Sequence, residues 1–302
     1  MDPLISSKRS NEFNSALIEK LLFRVSRQWI AGYTAQEALS AAQDTNNSGI
    51  FPILNYLGEE IKDEARIDST VSEYLIIIDR LNSSKVSGAI SVKPTQIGLA
   101  LDDDLFSKNL RRISENASKK CVFVWVDMEA YPYVQNTLST YLDVLKTNKQ
   151  VGIVIQAYLK RSFSDLMQLM EQSAHVRLVK GAYTEDVTRA YHSILEIDKN
   201  FSTLMKFIFS HRSVTGTIAI ATHDSKLIEK AISLSQEFEA RQNLQFQMLR
   251  GVRNELKARL IQRGYRVGEY IPYGEIWLPY SIRRIRERKR NILLLARSLT
   301  ES

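Results

Sequence analysis

The sequence is poor in cysteine and in residues that interrupt regular structure. It has one cysteine, Cys121, together with 12 glycines and 6 prolines among 302 residues. A single cysteine excludes an intramolecular disulfide and a cysteine-based zinc site. Because Cys121 begins the apolar run CVFVWV, we predict that its side chain is buried. An unpaired cysteine of this kind fits a reducing compartment.

Signals of several common functions are also missing. The sequence contains no glycine-rich dinucleotide loop, no Walker-type phosphate loop and no G-x-S-x-G nucleophile elbow. Its 4 histidines show no H-E-x-x-H spacing, so we expect no metal site. We find neither an apolar stretch of membrane-spanning length nor a secretory signal, so we expect any membrane contact to be peripheral.

The net charge is +7, which permits an anionic partner or substrate. The densest cationic run is WLPYSIRRIRERKR at 277–290. Ile285 and Glu287 interrupt it and no aromatic residues are interleaved among its cations, so we expect no nucleic-acid partner. Four of its cations are interpreted as a solvated surface: Arg286, Arg288, Lys289 and Arg290.

Short apolar runs alternate along the chain with longer amphipathic segments. The amphipathic segments have apolar residues at helical spacing, whereas the short runs are typical of buried strands. The predicted strands are 50–56, 89–93, 121–127, 151–156, 175–180, 217–222, 244–248 and 266–271. Eight such units favour an α/β fold of the (β/α)8 TIM-barrel type over a doubly wound sheet. The predicted domains are a helical N-terminal extension at 1–45 and a catalytic barrel at 46–302.

Polar side chains follow nearly every predicted strand, and both folds bring such strand ends to one ligand-binding edge. These residues are Glu59, Lys93, Asp127, Gln156, Arg177, Lys180, His223, Asp224, Gln247 and Tyr270. Two of them, Lys93 and Lys180, leave open a lyase or aldolase that forms a Schiff base through a lysine.

Four stretches taken together resemble the proline dehydrogenase family of flavin-dependent barrel enzymes. They are VRLVKGAY (176–183), IATHD (220–224), FQMLRGV (246–252) and YIPYGEIWLPYSIRRIRE (270–287). LGE (57–59), SVKPTQIGL (91–99) and WVDME (125–129) precede them in the family's order. The resemblance implies a barrel that binds FAD without a covalent bond. It also implies oxidation of L-proline to Δ1-pyrroline-5-carboxylate, with electrons passed to a membrane quinone.

The same resemblance assigns residues that bind the substrate. Arg283 and Arg284 match a pair that binds the proline carboxylate, for which adjacent guanidinium groups offer charge-assisted hydrogen bonds. Lys93 and Asp127 match residues beneath the substrate. There we expect the lysine to disfavour the protonated amine and to hold Asp127 by an ion pair.

The resemblance also assigns residues that line and close the substrate pocket. Tyr183 and Tyr270 match side chains that surround the proline ring and exclude water. Glu287 matches a carboxylate that contacts the substrate, one helical turn after Arg284. Glu59 matches a gating residue that pairs with the first arginine, although a glutamate there also suits an ordinary helix beginning.

The FAD site is assigned in the same way. Arg177 matches an arginine near the hydride-accepting nitrogen, where a cation stabilises the reduced ring, and it completes a catalytic set with Lys93 and Asp127. Gly181 is expected to permit close approach of the backbone. On its own, His223 also suits a core histidine. The full cofactor-binding set is Gln156, Arg177, Lys180, Gly181, Thr222 and His223.

The chain length leaves no room for a fused aldehyde dehydrogenase. We therefore expect a monofunctional enzyme that hands its product to a separate pyrroline-5-carboxylate dehydrogenase. Because a quinone lies in the bilayer, we expect a cytoplasmic enzyme that associates peripherally with the inner, respiratory membrane.

Overall fold

Eight parallel strands form a closed barrel in sequence order, with β1 also paired to β8. The computed structural model describes residues 22–23, 26–211, 216–282 and 284. The strands are β1 Phe51–Tyr56, β2 Ala89–Val92, β3 Phe123–Val126, β4 Val151–Gln156, β5 His175–Val179, β6 Ile218–Ala221, β7 Leu244–Leu249 and β8 Arg266–Tyr273. The predicted (β/α)8 barrel is confirmed, and every predicted strand end lies within two residues of the observed one.

A helix lies directly before β1, and a helix follows each strand from β1 to β7. The helices are α1 Ala35–Asn47, α2 Glu64–Ser84, α3 Asp103–Lys119, α4 Tyr131–Thr147, α5 Ser162–Glu171, α6 Ile194–Ser210, α7 Ser225–Glu237 and α8 Asn254–Gln262. Several begin where the sequence supplies an N-cap. Thr34 and Glu37 form a capping box at α1, and the Asp102 carboxylate accepts the Leu105 N–H at α3.

The apolar residues of the barrel and its surrounding helices form two concentric cores. The larger one lies between the strands and the helices and contains residues from every helix and every strand. The smaller one fills the barrel interior with side chains such as Ile53, Trp125 and Tyr270. Because strand side chains alternate between faces, β1, β2, β3, β6 and β8 contribute to both cores. Within the described ranges, no helix is both long and apolar enough to cross a bilayer.

The helix α1 covers the seam between β1 and β8. Its buried residues, among them Ala38 and Ala42, belong to the larger core, and Thr45 bonds to Glu269 on β8 (3.4 Å). The domain boundary predicted after residue 45 falls within this helix. Because α1 covers the seam, the chain that follows β8 packs at another part of the barrel.

That chain turns over the carboxyl ends of the strands, which we term the mouth. Residues 277–282 are helical, and Trp277 and Tyr280 pack with Leu57, which follows β1, and with Trp29. Backbone hydrogen bonds from Ala31 to Pro272 and from Gly274 to Gly32 hold the segment 26–32 beside this helix. The first and last described parts of the chain therefore meet at the mouth.

The prediction that Cys121 is buried is wrong. Cys121 is exposed, and it lies in the turn after α3 with a left-handed φ of 56°. The strand β3 begins only at Phe123. The apolar run was continuous in sequence, but the turn that ends the helix takes its first residue out of the sheet.

Candidate active site

The inward faces of the strands change from apolar to charged toward the mouth. On β3 the inward series is Phe123, Trp125 and then Asp127, just past the strand end. On β4, Gly152 leaves space for the Trp125 indole, which a Cβ at that position would overlap. A closed apolar floor therefore lies under a ring of polar side chains, as in barrel enzymes generally.

The Asp127 carboxylate is held by side chains from three other strands, β2, β5 and β8. One oxygen accepts hydrogen bonds from the Ser91 hydroxyl (2.7 Å) and from the Arg177 guanidinium (2.8 Å). The other oxygen accepts the Tyr270 hydroxyl (2.8 Å). With Asp127 only 8% exposed, these charge-assisted bonds hold its carboxylate in one orientation.

Arg177 is the buried cation of this group. Its Nε donates to Gln247 (2.5 Å) and its Nη1 to Ser91 (2.9 Å), and the guanidinium lies over the Trp125 ring at 4.5 Å. Its Nη2 is buried and meets no hydrogen-bond acceptor among the residues that the structure describes. Burial lowers the pKa of Arg177, and the Asp127 charge opposes that change. A buried donor of this kind calls for a further acceptor at the mouth.

Lys93 directly follows β2, the strand next to β3. Its ammonium is 3.2 Å from the Glu59 carboxylate, so the predicted direct ion pair between Lys93 and Asp127 is wrong. Asp127 instead pairs with Arg177. Burial alone would lower the pKa of Lys93, but Tyr183, Glu129, Asp127 and Glu59 together raise it. The lysine is therefore charged at neutral pH.

Two buried residues near Lys93, Thr95 and Glu129, were not among the site residues predicted from the sequence. Glu129 is 2% exposed, and its carboxylate accepts both the Thr95 N–H (2.7 Å) and the Thr95 hydroxyl (2.8 Å). Burial raises the pKa of Glu129, while Lys93 and the two bonds from Thr95 oppose that change. Each residue stands two positions after a predicted site residue, in VKPT and DME.

Lys180 pairs with different charged residues from those that contact Lys93, Asp127 and Arg177. It follows β5, one position out of phase with the inward-facing Arg177, and its ammonium contacts Asp198 (2.5 Å) and Asp224 (3.0 Å). The two carboxylates raise the pKa of Lys180, although burial alone would lower it. Strand alternation therefore places this lysine between α6 and α7.

The cofactor residues on β4 and β5 surround a close backbone contact. Gly181 has a φ of 109°, and a Cβ there would overlap the Tyr158 ring. The close backbone approach expected at Gly181 is present, and the group that it approaches is the Tyr158 ring. On β4, the Gln156 amide donates to the Glu129 carbonyl (2.9 Å). The Tyr183 side chain lies farther along the loop after β5 and is partly buried against the larger core.

Thr222 and His223 lie between the ends of β6 and β7. The Thr222 hydroxyl accepts the Asp224 N–H (3.2 Å), and the His223 Nε2 accepts the Leu249 N–H (3.1 Å). Burial, with the charges of Lys257, Arg284 and Arg253, lowers the pKa of His223 to about 4. His223 is therefore neutral near pH 7 and surrounded by cations.

Of the predicted carboxylate-binding pair, only Arg284 is described. Its guanidinium lies 5.4 Å from the centre of the Tyr280 ring, on the helix that crosses the mouth. Arg283 and Glu287 lie outside the described residues, as do the four cations interpreted as a solvated surface.

A closed α/β barrel with buried charges at the carboxyl ends of its strands defines an enzyme of the TIM-barrel class. The family profile described as proline dehydrogenase matches residues 38–295. The chain is 34% identical over 275 residues to proline dehydrogenase 1 of Bacillus subtilis (strain 168), covering 90% of each chain. It is 31% identical over 290 residues to proline dehydrogenase of Deinococcus radiodurans, covering 94% of this chain and 92% of the relative.

A solved structure of proline utilization A from Bdellovibrio bacteriovorus, inactivated by N-propargylglycine, has a similar fold. The TM-score is 0.84 at 25% identity, over 90% of this chain and 33% of that one. This chain therefore spans about one third of that longer protein. The chain belongs to the proline dehydrogenase family, and it is an oxidoreductase.

Proposed function

We propose that the chain oxidises L-proline to Δ1-pyrroline-5-carboxylate with FAD bound at the mouth and a membrane quinone as electron acceptor. Family membership supports the reaction. The observation that carries the proposal is the buried Arg177–Asp127 pair at the mouth, in which one guanidinium nitrogen meets no acceptor among the described residues.

The residues present fit FAD. Arg177 presents its spare donor above an apolar floor, where an anionic ring atom would find a hydrogen bond. Arg253 adds positive charge near His223, which suits a diphosphate, whereas Lys257 is buried and already paired with Glu269. The residues that we assign to the cofactor are Gln156, Arg177, Lys180, Gly181, Thr222 and His223. When bound, FAD supplies a two-electron acceptor for hydride.

The protein groups prepare proline for oxidation. The charged Lys93 disfavours a second cation beside it, so the proline amine is bound preferentially in its neutral form. Tyr270, fixed through its hydroxyl to Asp127, presents its ring as a rigid wall. Arg284, together with Arg283, binds the carboxylate and so orients the ring carbon that loses hydride.

Asp127 is not assigned the role of a free base. Both of its oxygens already accept hydrogen bonds from Ser91, Arg177 and Tyr270. Its function in this proposal is to fix the positions of Arg177 and Tyr270 and to balance the charge of the arginine.

The lysine chemistry of a Schiff-base lyase finds no support in the electrostatics. Such a lysine needs a neutral amine and hence a lowered pKa. Lys93 and Lys180 are both in contact with carboxylates that raise their pKa values.

An absorption spectrum tests the reaction directly. The purified protein is expected to be yellow, and anaerobic addition of L-proline is expected to bleach the flavin bands. A colourless protein that traps a carbonyl substrate on reduction with borohydride would overturn the proposal and favour the lyase.

Use of a bilayer quinone requires at least transient docking to a membrane. We therefore propose a cytoplasmic enzyme, peripherally associated with the respiratory membrane, whose product passes to a pyrroline-5-carboxylate dehydrogenase. The net charge of +7 supports attraction to acidic lipids. Co-sedimentation with acidic liposomes is expected at low salt and should fall as salt rises. Absence of binding at low salt would contradict membrane association.

A further inference from the structure

We infer that Thr95 and Glu129 are positioning residues that hold the Glu59 gate against Lys93 at the entrance of the pocket. The inference rests on the proposed function, since it assigns the gate to proline binding. It concerns two residues that contact neither Arg177 nor Asp127 in the hydrogen-bond network described above.

Thr95 connects two loops at the mouth. It lies fully buried in the short 3-10 turn Pro94–Gln96, directly after Lys93. Its hydroxyl accepts the Glu60 N–H (2.9 Å) and donates to the Glu129 carboxylate (2.8 Å). Its carbonyl accepts the Ile61 N–H (3.1 Å). The hydroxyl is thus donor and acceptor at once, and the loop after β1 is bound to the loop after β2.

The loop after β1 needs such a bond because Glu60 is strained. Its φ of 53° is left-handed, a conformation that is unfavourable for a non-glycine residue. The bond from the Glu60 N–H to Thr95 holds this conformation. Glu59, the preceding residue, is thereby directed toward Lys93, 3.2 Å from its ammonium.

Glu129 anchors Thr95 from the other side. Both of its carboxylate oxygens accept hydrogen bonds from Thr95, and its carbonyl accepts the Gln156 amide. A buried carboxylate is costly unless it is bonded and balanced by charge, and the Lys93 charge provides that balance. The loops after β1, β2 and β3 and the end of β4 are therefore joined through two residues.

Removing the Thr95 hydroxyl tests the inference. We expect Thr95→Val to raise the proline KM about tenfold, with kcat changed less than about twofold, because a displaced gate weakens binding more than the chemical step. Thr95→Ser keeps the hydroxyl and should restore wild-type values. The matched control is Thr137→Val, which removes an equally buried hydroxyl bonded within α4 and should leave KM unchanged.

A double-mutant cycle separates positioning from general destabilisation. In a Glu59→Gln background, where the gate charge is already gone, Thr95→Val should change KM less than about twofold, because coupled residues are not additive. A full tenfold effect in that background would show that Thr95 acts elsewhere and would overturn the inference.

Hydrogen exchange gives a readout that does not need turnover. Thr95→Val should speed amide exchange at residues 59–62, whereas Thr95→Ser and Thr137→Val should not. Unchanged exchange in Thr95→Val overturns the inference even if proline oxidation is intact. Absence of proline oxidation in the wild type would instead contradict the proposed function, and the exchange experiment would still decide whether Thr95 holds this loop.

Discussion

Asp127 shows how much of the site depends on one buried carboxylate. It accepts hydrogen bonds from Ser91, Arg177 and Tyr270, which come from three different strands. Because the Arg177 side chain is only 4% exposed, water cannot replace the carboxylate as its partner. Breaking a buried ion pair by removing one member is therefore more costly than the pair itself is stabilising.

We predict that Asp127→Asn lowers the free energy of unfolding by about 3–5 kcal/mol, because it leaves the Arg177 charge buried without a counterion. Proline kcat/KM should fall at least about 100-fold, in keeping with loss of a buried charged partner. Urea unfolding and steady-state kinetics measure the two effects. Asp143→Asn, which removes a carboxylate from the surface pair with Arg111, should change neither. A kinetically normal Asp127→Asn would contradict the role given to Asp127.

His223 leads to a prediction on pH. Its folded pKa of about 4 lies below the ordinary value of 6.5, so between these values the unfolded chain binds a proton that the folded chain excludes. The stability contributed by neutral His223 is therefore complete above pH 6.5 and lost as pH falls toward 4, by about 3 kcal/mol in all.

His223→Gln should remove that part of the pH dependence while keeping an acceptor for the Leu249 N–H. Urea unfolding at intervals from pH 7 to pH 4 measures the difference from wild type. His192→Gln, at an exposed position, serves as the control and should retain the full acid sensitivity. A His223→Gln variant that loses stability over this range as steeply as the wild type would refute the prediction.

At the scale of elements, the loop after β5 is bound to the beginning of α4. The Glu185 carboxylate accepts the Tyr131 N–H (2.6 Å) at a helix whose own N-cap residue, Ala130, supplies no side-chain bond. The same loop pairs Ala190 with Leu159. Since this loop carries Tyr183, its docking affects the wall of the proposed substrate pocket.

We predict that Glu185→Ala costs about 1 kcal/mol of stability, as expected for a lost helix cap. It should also speed amide exchange at residues 181–192 and raise the proline KM. Asp102→Ala removes a comparable cap from α3 and should cost similar stability without either local effect. Equal exchange profiles of the loop in the two variants would contradict the predicted docking.

Strand alternation explains which parts of the site could be predicted from sequence. Lys93, Asp127 and Arg177 end up together because each continues the inward face of its strand. Lys180 follows a strand as well, but it lies one position out of phase with the inward face. It therefore pairs with Asp198 on α6 and with Asp224 at the beginning of α7. The ion-pair partners could not be predicted, because Glu59 and Arg177 reach Lys93 and Asp127 from strands distant in sequence. Glu129 gave no signal beyond its place in WVDME.

At the scale of the whole molecule, a small apolar cluster holds the C-terminal helix over the mouth. Trp277 and Tyr280 pack against Leu57 and Trp29, and Gly251, with a φ of 69°, allows the backbone near Gln28 to approach. The barrel itself was predictable from eight apolar runs. The covering of its seam by α1 was not, because periodicity does not show which strands a helix packs against.

We predict that Trp277→Ala costs about 3–5 kcal/mol, the usual effect of truncating a buried aromatic. It should also raise the proline KM at least about tenfold, because the helix that carries Arg284 loses its anchor. Phe209→Ala, equally buried at 2% exposure on α6, should lose similar stability with an unchanged KM. The KM of each variant should be measured well below the unfolding temperature of both. Equal KM values in the two variants would exclude a role for this cluster in substrate binding.

The meeting of the segment 26–32 with residues 272–277 has a consequence for biosynthesis. The ribosome releases that segment well before its partners, which lie more than 200 residues later in the sequence. Until β8 emerges, β1 pairs with β2 alone and leaves an open sheet edge that can associate with other chains. A nascent chain therefore has no complete entrance for a substrate until residues 272–280 have been made and have folded onto this segment.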